Sequence, residues 1–165
     1  MRLKFERPPP PYRPTRMSYT IRPLTCLDSR STKDIFIETF HQDDWSEFGW
    51  IWRWRSKTES VGVFNTSGDL LGFALILGHC RELKYIAVHP LFQKHKLGSL
   101  LLNHVLKTCI ATGKSLHLVP ANKEVEAWYT RHGFYTTKYF TTSDNTNWKV
   151  MHFHSKNTRS QSKFL

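Results

Sequence analysis

The chain has 165 residues, 39% of them hydrophobic and 14% aromatic, and a formal net charge of +11. That length suits one domain and excludes two of comparable size, while six Trp, six Tyr and eleven Phe exclude a wholly disordered chain. No long apolar run exists, so no membrane-spanning helix and no membrane partner are expected, and the N-terminus has no apolar stretch of a secretory signal. Cys26, Cys80 and Cys109 are odd in number, widely spaced and never in a CxxC pair. They exclude a disulfide framework or a zinc ribbon and point to a reducing compartment, hence to a cytoplasmic location.

Most of the charge sits on two tails. Arg2, Lys4, Arg7, Arg13 and Arg16 against Glu6 give the first eighteen residues a net +4; Lys156, Arg159 and Lys163 give residues 155–165 a net +3. Pro8 to Pro11, with the surrounding composition, predicts an extended arm over residues 1–17. Residues 155–165 read as a disordered basic tail, and residues 18–154 as the folded domain. Basic tails attract any polyanion without naming one.

Between the tails, strands and helices are expected in this order. Tyr19 to Leu24 reads as a strand. Asp28 or Ser29 caps a helix to about Phe40, with Ile35, Ile37 and Phe40 as apolar positions. Trp45 to Arg55 is ambiguous, because Trp45, Phe48 and Trp52 fit a helix while Trp50, Trp52 and Trp54 alternate like a strand; a helix giving way to extended chain is the favoured reading. Ser60 to Asn65 and Leu70 to Leu77 read as strands joined by the turn Thr66-Ser67-Gly68-Asp69. Glu82 to Val88 is a strand closed by Pro90, followed by a polar loop from Gln93 to Leu97. A helix follows Gly98, with Leu102, Val105, Leu106, Cys109 and Ile110 on one apolar face and Gly113 at its end. Ser115 to Val119 is a strand closed by Pro120. Strand, helix and strand in that span form a βαβ unit, so these two strands should be parallel. Asn122 caps a further helix ending before Gly133, and Phe134 to Thr141 and Trp148 to His154 supply two last strands.

The loop between a parallel strand and a helix presents unpaired backbone N–H groups at the positive end of the helix dipole, where phosphate binds. Here the loop carries Lys94, His95 and Lys96, and Gly98 lets backbone approach a ligand closely. An ordinary solvated basic loop would look the same.

The run Val88-His89-Pro90-Leu91-Phe92-Gln93-Lys94-His95-Lys96-Leu97-Gly98-Ser99-Leu100-Leu101 resembles motif A of the GNAT superfamily, the acyl-CoA-dependent N-acyltransferases. Downstream, Asn122, Ala127 and Trp128-Tyr129-Thr130-Arg131-His132-Gly133-Phe134 resemble a second segment of that family, in the right order. One departure is Lys96, which stands where the family has the first glycine of its phosphate loop. The resemblance implies an α/β fold: a mixed, mostly antiparallel sheet with one parallel βαβ pair splayed for CoA, flanked by about four helices. It implies acetyl-CoA as acyl donor and no metal. Of the expected donor-binding residues, the strand end Ile86, Ala87 and Val88 would pair with pantetheine. The amides of Lys94, His95, Lys96, Leu97, Gly98 and Ser99, with Gln93, would hold the pyrophosphate, and Asn122 would contact the CoA arm or simply cap its helix.

Acyl transfer to an amine needs a base, a donor for the tetrahedral oxygen and an acid for the departing thiolate. Strand alternation predicts Glu82, Lys84, Ile86 and Val88 on one face. A glutamate at position 82 resembles the general base of some family members; a surface carboxylate paired with Lys84 or Arg81 is the plainer reading. Tyr129 resembles the family's general acid, and could equally be a core tyrosine. His152 and His154 share a strand face, but two ligands make no metal site. Asp28, Asp34, Glu38, Asp43, Asp44 and Glu47 precede and enter the Trp45–Trp54 cluster. Acidic groups and aromatic faces suit a cationic amine acceptor: a polyamine-like small molecule, a protein lysine or an N-terminus. A solvated acidic helix beside packed tryptophans accounts for the same pattern. The competing function is a degenerate GNAT-fold protein whose Lys96 loop binds CoA weakly and whose basic tails engage nucleic acid or a protein.

Overall fold

The computed structural model describes residues 17–41 and 45–155. Seven strands, β1 (Thr20–Pro23), β2 (Val61–Phe64), β3 (Leu70–Leu77), β4 (Glu82–Val88), β5 (Leu116–Leu118), β6 (Tyr135–Thr141) and β7 (Asn147–Phe153), form one sheet in the order β1-β2-β3-β4-β5-β7-β6. Every neighbouring pair is antiparallel except β4 and β5. That exception is the expected βαβ unit, and its parallel register consists of one residue pair, Glu82 with His117. Beyond it the strands separate, since Pro90 and Pro120 close both ends and offer no donor.

Four α-helices flank the sheet: α1 (Ser29–Phe40), α2 (Trp45–Trp54), α3 (Leu97–Thr112) and α4 (Lys123–Arg131). Leu101, Leu102, Val105 and Cys109 of α3 pack with Tyr129 of α4 against Val61, Val63, Leu71 and Ile76. Ile35 and Phe36 of α1 and Phe48 and Ile51 of α2 pack on the opposite face against Phe73, Leu75 and Leu77. The helical spacing of Trp45, Phe48 and Trp52 thus prevails over the alternating one. Trp52 stacks on Phe48 with ring centroids 5.7 Å apart, and the extended continuation is only Arg55, bridged to Leu77.

Four details differ from the sequence reading. Ile110, expected on the apolar face of α3, is exposed, and Leu101 is buried in the core instead. The polar loop at Gln93 to Leu97 is instead a 3-10 helix, Pro90–His95, and α3 begins at Leu97, not after Gly98. Asp28 sits at the N-cap of α1 but makes no side-chain cap bond. Its carboxylate takes both guanidinium nitrogens of Arg22, at 2.8 and 2.9 Å, and the N–H of Thr25 at 2.8 Å. Finally, β4 does not alternate throughout. Its pairing with β3 slips between Leu75 and Ile76, leaving Lys84 without a partner. Leu83 packs with Ile86 and Val88 on the α3 face, whereas Tyr85 and Ala87 face α1. The extra residue of a bulge reverses the phase, so Glu82 does not share a face with Ile86 and Val88.

The arm expected over 1–17 lies, but for Met17, outside the described residues. So do Asp43, Asp44 and all but Ser155 of the C-terminal tail.

Candidate active site

The separation of β4 from β5 opens a cleft of about 790 Å³. Every residue of β4 from Glu82 to Val88 lines it, which follows from its running along the strand's open edge. The amide of His89 donates to Leu71 O at 2.8 Å, and Val88 lies opposite Gly72. In an antiparallel pair the bonded positions alternate. The N–H and C=O groups of Val88 and Ile86 therefore point away from β3, toward the cleft. Gln93 already uses one of them, its Nε2 donating to Val88 O at 3.2 Å.

The N-terminus of α3 stands at one end of this edge. The amide of Leu100 donates to Lys96 O at 3.1 Å, so those of Leu97, Gly98 and Ser99 precede the first helical bond. Within the 3-10 helix the Leu91 amide donates to His89 Nδ1 at 3.2 Å, that of Phe92 to His89 O at 2.8 Å, and the following ones make the i→i−3 bonds of the helix, which leaves the free ones at 96–99. Lys96 has φ 59° and ψ 22°, the left-handed conformation that favours glycine. The chain thus makes the glycine's turn with a lysine. Gly98 lines the cleft, and a Cβ added there would meet only Trp128 at 3.8 Å and Val88 at 3.9 Å. Leu97 is buried in the core and offers its backbone alone, while Gln93, Lys94, His95 and Lys96 are exposed. Asn122 accepts from Val125 N–H at 2.9 Å as the cap of α4 and does not line the cleft.

Tyr129 is 6% exposed yet lines the cleft, and its hydroxyl has no hydrogen-bond partner among the described residues. Burial pushes its phenol well above the ordinary value, so it stays protonated. Glu82 lies at the narrow end, half-buried, with Lys84 Nζ at 3.6 Å and His117 opposite it across the parallel pair. Arg81 does not pair with it; its guanidinium takes Glu59 and donates through Nε to Ser115 O at 3.2 Å.

Several residues line the cleft that the sequence reading did not place there. Tyr85 donates to Glu47 Oε1 at 2.8 Å, and burial, reinforced by that carboxylate, raises its phenol strongly. Its ring meets Phe36 edge-on at 4.9 Å and Phe40 at 4.8 Å. Phe40, Phe140, Thr142, Trp128 and Trp148 complete the walls. The bulge at Lys84 is what turns Tyr85 toward α1, and alternation alone could not reveal it. Of the acidic run, Glu47 reaches the cleft through Tyr85, Asp28 is consumed by Arg22, and Glu38 lies 3.2 Å from His89 Nε2.

A seven-stranded sheet opened at its single parallel pair, with a free helix N-terminus beside the opening, matches known proteins. The sequence profile of the acetyltransferase (GNAT) family matches residues 26–134, two-thirds of the chain, and the chain belongs to that family. Acyl transfer from a CoA-type donor is the chemistry this membership assigns. No curated protein sequence matches the chain. Among solved structures it is similar to the ribosomal-protein-S18-alanine N-acetyltransferase from Escherichia coli, at 23% identity over 83% of this chain and 94% of that one, with TM-score 0.66. It is also similar to arylalkylamine N-acetyltransferase 2 from Aedes aegypti, at 10% identity over 83% and 99%, with TM-score 0.69. The PaiA N-acetyltransferase from Thermoplasma acidophilum in complex with coenzyme A matches at 21% identity over 84% and 99%, with TM-score 0.57. At such identities these likenesses speak to the fold. Among the described residues no helix is long and apolar enough to cross a membrane.

Proposed function

We propose that the protein is an N-acetyltransferase that moves the acetyl group of acetyl-CoA to a primary amine by direct attack within one cleft. The observation that carries this reading is the open edge of β4. The backbone groups of Ile86 and Val88 face a cleft that ends on the unpaired amides of α3, with the unbonded hydroxyl of Tyr129 in its wall. The residues present fit a CoA-type ligand. The space beside Gly98 is open, and a Cβ there would extend into it. Acetyl-CoA supplies the activated acyl carbon and a thiolate leaving group.

The chain's own residues divide the work. The edge groups of Ile86 and Val88 pair with the extended pantetheine arm, as one strand pairs with another, and Val88 N–H is placed to polarise the acyl oxygen. The amides of Lys96 to Ser99 and the dipole of α3 hold the pyrophosphate, with Lys94, His95 and Lys96 adding charge. Asn122 keeps its amide nitrogen for the CoA arm while its oxygen caps α4. Glu82 removes the ammonium proton of the acceptor, directly or through water, because a free amine with pKa about 10.4 is protonated at neutral pH. Tyr129 returns a proton to the departing sulfur. Its raised pKa keeps that proton available at every working pH.

The acceptor enters between Phe40, Tyr85, Phe140 and Trp148. Aromatic faces beside Glu47 and Glu82 suit an amine that arrives as a cation. A small polyamine-like molecule, a protein lysine and an N-terminus all meet that description. The structural neighbours include enzymes named for a protein alanine and for arylalkylamines. The basic tails lend attraction to a polyanion, and the cytoplasm, which suits three free cysteines, is the expected compartment.

The competing reading, a non-catalytic GNAT-fold binding module, draws on one observation, the lysine at a position of positive φ. Yet Lys96 already holds the turn a glycine would make, so the cost falls on folding and the cradle keeps its shape. The test is acetyl-CoA itself, followed by a panel of amines monitored for free thiol. A rise in melting temperature with acetyl-CoA and thiol release with one amine class are expected. No thermal shift at millimolar acetyl-CoA would favour the binding module.

A further inference from the structure

Below the cleft, where β4 and β5 still touch, three groups of different chemistry meet. Cys80 lies in the turn between β3 and β4, Glu82 opens β4, and His117 faces Glu82 from β5. One ligand atom of each, a sulfur, a carboxylate oxygen and an imidazole nitrogen, lie within 4.8 Å of one another, and all three residues are half-buried. Arg81 holds this arrangement rigid. Its carbonyl accepts His117 N–H at 3.1 Å, and its Nε donates to Ser115 O at 3.2 Å. Cavities of about 340 Å³ flank the cluster on either side, one lined by Cys80, His117 and His152, the other by Glu82, His117 and His152. The ring of His152 stacks on His117 at 5.5 Å, and its Nδ1 lies 2.6 Å from Thr137 Oγ1, which leaves Nε2 free.

We propose that Cys80, Glu82 and His117 bind a borderline-soft divalent cation of the Zn²⁺ type, and that its binding switches off acetyl transfer by occupying Glu82. One sulfur, one nitrogen and one oxygen ligand favour zinc or cobalt over magnesium or calcium, which want oxygen alone. A tetrahedral zinc with bonds of about 2.0–2.3 Å sets its ligand atoms about 3.5 Å apart. Closing from the present separations needs about 1 Å, within reach of the Cys80 and Glu82 torsions. The fourth position opens on a cavity and takes water or His152 Nε2. On binding, the Cys80 S–H bond breaks, sulfur bonds the metal and the proton leaves to buffer. The carboxylate of Glu82 then bonds the metal and can no longer accept a proton from the acceptor; this second half rests on the assignment of Glu82 as base.

The test uses the full-length protein stripped of metal with a chelator. Titration with ZnCl₂ should show one tight site with proton release, and CoCl₂ should give a thiolate-to-cobalt absorption band in the near ultraviolet. Cys80→Ser should abolish the band. Cys80→Ser and His117→Gln should each weaken zinc by at least about tenfold, with melting temperatures confirming that both fold; Cys26→Ser, an exposed thiol in the short 3-10 turn Cys26–Asp28 and outside the cluster, should change nothing. Absence of the cobalt band, or wild-type affinity in Cys80→Ser, overturns the site while leaving the transferase reading intact. In the activity arm, zinc should inhibit wild type reversibly and spare Cys80→Ser. Stoichiometric zinc binding without inhibition would overturn the switch and the role of Glu82 together, and leave the cation site standing.

Discussion

Lys96 gives the most direct measurement of what the turn into α3 costs. Its φ of 59° places a Cβ in the left-handed region, a penalty of roughly 1–2 kcal/mol for a residue other than glycine. Lys96→Gly removes that penalty but adds chain freedom to the unfolded state, which costs about 0.5–1 kcal/mol. The lysine side chain is exposed and has no hydrogen bond or ion pair among the described residues to lose. The net is a stabilisation of about 0.5–1 kcal/mol, or roughly 1–4 °C in melting temperature for a domain of this size. Differential scanning fluorimetry of both proteins without ligand reads it. Arg81→Gly is the control, because Arg81 has nearly the same φ, 60°, but holds Glu59, Ser115 O and Cys109 Sγ at the start of β4. It should lose stability despite the same backbone relief. With acetyl-CoA present, Lys96→Gly should bind as well as or better than wild type. An unchanged or lower melting temperature for Lys96→Gly would refute the strain argument. A loss of binding beyond about 2 kcal/mol would make the lysine a phosphate ligand in its own right.

Tyr129→Phe should leave the melting temperature and CoA affinity nearly unchanged, since the hydroxyl bonds nothing among the described residues, while kcat falls by about 10²–10⁴-fold; equal rates would remove Tyr129 from the mechanism. Glu82→Gln should depress the rate most at neutral pH, the deficit shrinking as the acceptor amine loses its own proton, and a pH-independent deficit in a pH–rate series would reduce Glu82 to a positioning role. Gly72→Ala should destabilise by roughly 1–3 kcal/mol in urea melts, because the new Cβ would stand 2.7 Å from Ala87 O and 3.2 Å from Val88 Cα; a neutral result would mean that β4 yields more easily than its packing implies. Asp28→Asn should be destabilising at neutral pH, because the Arg22 guanidinium and the Thr25 amide hold the Asp28 carboxyl below its ordinary value of 3.8. A depressed carboxylate contributes stability above 3.8 that is lost as pH falls through its folded value, so the gap between wild type and variant should close below that pH. A gap that persists in strongly acidic urea melts would assign the effect to packing.

The βαβ unit was legible because its signals are local and redundant. The apolar face from Leu102 to Cys109, the stop at Gly113 and the prolines closing both strands each specify the same geometry, and the structure has it, although Ile110 turns out to solvent. The cradle was legible as a location, but not which of its amides remain free. That depends on whether Pro90 to His95 coil into a 3-10 helix, a choice of hydrogen-bond register that residue type scarcely influences. Alternation predicted the face of Glu82 and failed because one unpaired residue, Lys84, inverts the phase. No side-chain pattern announces a bulge in a strand whose residues are all compatible with pairing.

That single unpaired residue has consequences on both sides of the sheet. By returning Leu83 to the α3 face, the bulge packs the base of β4 into the same core as Leu101 and Val105. By sending Tyr85 to the α1 face, it places a hydroxyl against Glu47 and a ring among Phe36 and Phe40, which builds the aromatic wall of the cleft. A regular strand would put Leu83 and Tyr85 on one face, and either the core or the wall would lose its residue. The separation of β4 from β5 is then less a loss of pairing than a division of labour along one strand. Its first residue, Glu82, is held against His117 by the neighbouring Arg81, and at its far end the groups of Ile86 and the N–H of Val88 on that edge remain free to bond a ligand. Giving Lys84 a partner, by inserting one residue between Leu75 and Ile76, should therefore damage the core or the aromatic wall while leaving the Val88 edge intact, whereas deleting Lys84 should keep both faces, because the partners of Leu83 and Tyr85 are already adjacent.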